Sequence, residues 1–106
     1  MIVPEWRRIL EGRESFVDKE AEQVAKFLLE EIRQEQDVGR LIELMNDLEW
    51  VMGSVEWLTR KYERLAQRLK EEVLPKEEVE FLREKISRVR ARRNEVLEKV
   101  KRKYGL

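Results

Sequence analysis

The chain has 106 residues, 42% of them apolar and 43% charged, with 23 basic and 23 acidic side chains and no net charge. Its length fits one domain, and its apolar content supports a core. The absence of histidine and cysteine rules out His-dependent triads, HExxH sites, thiolate nucleophiles and zinc–thiolate centres. The four glycines (12, 39, 53 and 105) are scattered and form no phosphate-binding loop.

No cofactor or metal is expected. The high Glu, Lys and Arg content with few Asn and Gln has a thermophile-like composition. No apolar run approaches the ~18–20 residues of a membrane span, and MIVPEWRR lacks the order of a signal peptide. The expectation is a cytoplasmic chain with no membrane partner.

Pro4 suits the first turn of a helix and Gly12 suits its end, predicting a short helix over about 4–11 with Trp6, Ile9 and Leu10 on its apolar side. Ser15 reads as the next N-cap, with Asp18 three residues on. That helix is expected over about 15–36. Val17, Ala21, Val24, Leu28 and Ile32 recur at helical spacing, Ala25 and Leu29 widen the stripe, and Phe16 and Phe27 lie to its other side.

Asp37-Val38-Gly39 makes a short connection, so the following helix should run antiparallel. From about 38 to 73, Leu41, Met45, Leu48, Met52, Val55, Thr59, Tyr62, Ala66, Leu69 and Val73 alternate in steps of four and three. This pattern predicts one heptad seam on one rod, ~54 Å long at 1.5 Å per residue. Leu74-Pro75 stops the rod.

A last helix over about 76–104 starts with Glu77 and Glu78 and ends with Lys101, Arg102 and Lys103, each sign suiting the helix dipole. Its seam is Val79, Leu82, Ile86, Val89, Arg93, Val96, Val100 and Tyr104. The predicted fold is all-α. It is an elongated antiparallel three-helix bundle or coiled coil with a short extra N-terminal helix, in one domain.

Three features stand outside this pattern. Trp50 and Trp57 fall ~160–200° from the seam with Gly53 between them, a second stripe on the back of the rod. A mid-helix glycine costs ~1 kcal/mol against alanine, which close backbone approach would offset. The stripe is read either as covered by the first helix or the Phe16/Phe27 side, as an interface, or as a Trp-lined small-molecule pocket. The interface reading takes a homo-oligomer or another protein as partner and uses Trp50, Gly53 and Trp57, with Tyr62 and Leu65 on the exposed hairpin.

Arg93 sits on a core seam, where a charge must be paired or snorkel out, and Glu56 and Glu49 on the flank of the rod are its candidate partners; the expectation is a packed stem with its head reaching solvent, and the alternative is a buried, anion-recognising arginine. Finally, residues 75–106 carry +5 against −5 for the rest. Lys85, Arg88, Arg92, Lys99 and Lys103 lie near one outward face and form a candidate nucleic-acid contact. The expected function is a non-catalytic helical interaction or scaffolding module that self-associates. The alternative is a nucleic-acid-associated protein using the last helix.

Overall fold

Asp18, and not Ser15, starts the first long helix. Its side chain accepts a hydrogen bond from the Ala21 N–H at 3.1 Å, the N-cap geometry, so residues 15–17 stay outside the helix. The computed structural model describes residues 5–106, and of Glu5 the backbone alone, so the role expected for Pro4 lies outside the described residues.

The fold is all-α. Helix α1 spans Glu5–Leu10, α2 Lys19–Gln34, α3 Val38–Glu49, α4 Glu56–Glu71 and α5 Lys76–Lys103. No strand occurs among the described residues. Gly12 adopts a φ of 76° just past α1, and Gly105 a φ of 69° just past α5; both end their helices in the left-handed region open to glycine. Asp37 caps α3 by accepting from the Arg40 N–H at 2.9 Å.

Between α3 and α4 the backbone never leaves the helical region, but Trp50–Val55 form a π-helical turn. There the Glu56 N–H reaches back five residues to the Val51 carbonyl. One extra residue is held in the turn, so the face that follows is rotated by ~100° relative to an unbroken α-helix.

This overturns the single seam predicted for 38–73. Met45 is 54% exposed, and Leu44, one residue earlier, is fully buried in its place. Ala66 is exposed. The rod ends at Glu71, so Val73 falls in the turn and is fully exposed.

The rotation matches a change of neighbour. Helix α2 packs along α3 and the π turn, α5 along α4 and the π turn, and α1 chiefly on the π turn. Val51, Met52, Val55 and Glu56 can therefore all be buried at one level, because neighbours stand on three sides.

Ala21, Val24, Ala25 and Leu28 of α2 form the core with Leu44, Leu48, the π turn, Ile9 of α1 and Val96, Leu97 and Val100 of α5. Truncating one fully buried leucine here, such as Leu28 or Leu97, to alanine costs about 2–5 kcal/mol. The hairpin of α4 and α5 extends beyond this core, anchored by buried Leu82 and Val89. The molecule measures 56 × 30 × 22 Å. No helix among the described residues is long and apolar enough to cross a membrane.

Candidate functional site

The π turn and the start of α4 carry, among the described residues, a fully buried carboxylate, Glu56, and two half-exposed tryptophans, Trp50 and Trp57. On the inner side, Glu56, Thr59 and Arg60 share one face of α4 at helical spacing. Glu56 is fully buried. Its Oε1 accepts the Val17 N–H at 2.5 Å and its Oε2 accepts the Asp18 N–H at 3.1 Å. The Arg60 guanidinium lies 3.4 Å from the same carboxylate and donates to the Ser15 carbonyl at 2.8 Å. The loop between α1 and α2 is thus strapped to the rod.

Asp18 continues the cluster. Besides capping α2 it accepts the Thr59 hydroxyl at 2.5 Å and a two-pronged grip from Arg93, Nε to Oδ2 and Nη2 to Oδ1, both at 2.6 Å. Arg93 Nη2 also reaches Glu20 at 3.3 Å. The expectation of a solvent-reaching arginine near Glu49 or Glu56 is therefore corrected. Only 13% of the Arg93 side chain is exposed, because the α2 N-terminus comes over it and offers a carboxylate in the matching planar geometry. Glu56 is already committed to the backbone of residues 17 and 18.

The electrostatics follow from this placement. Burial pushes the Asp18 carboxyl up, but bonds from Arg93, Thr59 and the Ala21 N–H outweigh it and hold the group below its ordinary 3.8. Burial also pushes Glu56 up, and there the Val17 and Asp18 N–H groups offset it only in part, leaving the group above its ordinary 4.5. Arg93 is held more firmly protonated, chiefly by its bond to Asp18. Every member is engaged with another, so the cluster is built to hold elements together.

On the outer side, Trp50 is 50% and Trp57 46% exposed. Gly53 between them faces α1: a Cβ built there would lie 3.6 Å from Trp6 Cδ1, an ordinary contact. Helix α1 covers the glycine through one ring edge, so no close backbone approach requires it. Lys61 Nζ stands 4.9 Å over the Trp57 ring.

Trp50 also walls a groove of about 240 Å³ against α5, with Val96 and Val100 as apolar lining and Arg92, Lys99 and Lys103 among its charged residues. Its acidic members are Asp47 and Glu95. Arg92 pairs with Glu95 at 3.1 Å, and Lys103 with Asp47 at 2.9 Å and with Glu43. Tyr104 donates to Asp47, and burial together with that bond pushes its phenol above the ordinary 10.

Trp50 of the tryptophan stripe and the lower half of the basic face, read separately in the sequence, thus meet at one groove. The upper half does not join them. Lys85 sits 6.0 Å over the Phe81 ring, and Arg88 pairs with Glu84 on its own helix. Tyr62 is half-buried under the Arg90 guanidinium at 5.1 Å, and Leu65 is half-buried.

Sequence reasoning missed Asp18, Thr59 and Glu56 as a buried set. It also missed the exposed apolar run Val38, Ile42 and Met45 on α3. The i, i+4, i+7 spacing was a usable signal for that run. Among the described residues no group of three or more carboxylates is placed to hold a metal ion. No family model, curated protein or solved structure matches the chain.

Proposed function

We propose that this chain is a non-catalytic helical interaction module that self-associates, with the face around Trp50 and Trp57 as its docking surface. Its scaffold is an elongated antiparallel three-helix bundle with coiled-coil-like packing and a short helix laid across it. The observation that carries the reading is the half-exposure of two tryptophans, one on the π turn and one in the first turn of α4, where the other side of the rod is fixed by buried charge. Large aromatics held rigidly at a surface are the usual anchors of protein interfaces. A chain without net charge carries no overall repulsion against a second copy.

Sedimentation equilibrium over a wide concentration range, at two salt levels, tests this. A mass rising above the single-chain 12.9 kDa, with tryptophan emission shifting to the blue as it rises, is the expected result. A monomer throughout, with unshifted emission, removes the proposal.

A second reading rests on a different observation: Arg92 and Lys99 line the same groove as Trp50. Single-stranded nucleic acid uses this combination, bases stacking on aromatics and phosphates meeting cations. Binding that weakens steeply with salt and is lost on replacing Arg92 and Lys99 by glutamate supports it. No binding at low salt ends it.

A further inference from the structure

The outer face of α3 carries both halves of a self-complementary contact. Val38, Ile42 and Met45 are 68%, 56% and 54% exposed and share one side of the helix. The opposite side buries Leu44 and Leu48, packing against α2. Further along the outer side, Asn46, Glu49, Trp50 and Ser54 enclose an open hollow of about 410 Å³.

Four residues of one helix surrounding a hollow are what receives a side chain from a facing helix in knobs-into-holes packing. In a regular helix the corners fall at i, i+3, i+4 and i+7. Here the fourth is Ser54, at i+8, because the π turn inserts one residue, and the hole is correspondingly wide.

We infer that α3 pairs antiparallel with α3 of a second copy, each Ile42 entering the Asn46/Glu49/Trp50/Ser54 hollow of the other. This rests on the self-association proposed above and names its surface. A knob at 42 and a hole centred near 50 put the two-fold axis at Asn46, midway between them. Each Asn46 amide then meets its counterpart, and one amide can both donate to and accept from another. The contact closes on itself, since both copies use the same patch.

Val38, Ile42, Met45, Trp50 and Trp57 together expose about 500 Å², more than half of the about 800 Å² per partner that a standard interface buries. Glu43, at the edge of this face, is already neutralised by Lys103 of its own chain.

The chain has no cysteine, so single-cysteine variants report proximity without background. Asn46→Cys should cross-link to a covalent dimer under mild oxidation, whereas Arg92→Cys, on the α5 side of the Trp50 groove, should not. Ile42→Glu should weaken dimerisation at least about 100-fold, since two hot-spot contacts are lost at once. Its helical circular dichroism should be unchanged, as should its melting at concentrations low enough for both chains to be monomers.

If the chain associates but Arg92→Cys cross-links in place of Asn46→Cys, the α3 pairing is wrong while self-association stands. The pairing is equally wrong if Ile42→Glu dimerises as tightly as the parent. A 12.9 kDa monomer at every concentration overturns both the pairing and the self-association beneath it.

Discussion

The Arg93 guanidinium grips the Asp18 carboxylate with two parallel bonds of 2.6 Å, across 75 residues of chain. This joins the start of α2 to the middle of α5, while Thr59 adds α4 to the same carboxylate. Breaking such a pair from one side leaves a buried charge without compensation. Arg93→Met should therefore destabilise by about 3–5 kcal/mol, and the double variant with Asp18→Asn should recover part of that loss. Urea unfolding of the two variants checks both the size and the non-additivity.

Acid should act on Asp18 in one direction only. Its folded value lies below the ordinary 3.8, so its contribution is complete above that pH and is lost as pH falls through the folded value. Parent and Arg93→Met stabilities should converge below pH 3.8, a trend readable from urea melts at stepped pH.

Glu56 has the opposite sign. Its folded value lies above the ordinary 4.5, so the native state holds this proton more tightly than the unfolded chain. Ionising it costs stability as pH rises from 4.5 through the folded value. The stability advantage of the parent over Glu56→Gln should shrink across that window. An advantage that grew instead would mean that the Val17 and Asp18 N–H groups outweigh burial.

Gly53→Ala tests the role of the stripe glycine. An added Cβ meets only the edge of Trp6 at 3.6 Å, and alanine is the better helix former by about 1 kcal/mol. Stability should rise by up to about 1 kcal/mol. A bulkier Gly53→Leu should instead push Trp6 away, seen as a red shift in tryptophan emission. Destabilisation by alanine would show that the π turn itself requires glycine.

Tyr104 should resist alkali. Burial and its bond to Asp47 raise the phenol above its ordinary 10, so its contribution is complete below pH 10 and is lost as pH rises toward the folded value. Absorbance at 295 nm should show a delayed tyrosinate step that Tyr104→Phe removes.

Much of the framework was legible because it is local. Gly12, Pro75 and Gly105 punctuate through their own backbone chemistry, and Val89, Val96 and Val100 declare a face by their spacing alone. Ser15 reads as the cap with Asp18 three residues on, and Asp18 is itself the cap, its carboxylate held by Arg93 and Thr59 far along the chain.

Met45 against Leu44 was undecidable from period, since adjacent apolar residues fit two phases of one helix. The π turn itself leaves no apolar signature, and Gly53-Ser54 was its only local hint. Glu56 looked like a flank residue, because a single letter does not show that two backbone N–H groups will be brought to it. The groove could not be seen from either of its halves: Trp50 and Lys99 lie on different helices.

The extra residue in the Trp50–Val55 turn works like a washer under a bolt head, setting the angle at which everything beyond it is tightened. Remove one residue there, for instance Ser54, and the thread of α4 would advance by ~100°. Glu56 and Thr59 would then be carried away from Val17 and Asp18, and the strap and the grip would fail together. Length at this one place is therefore more constrained than identity: the rod tolerates a changed side chain at Ser54 far better than a missing one.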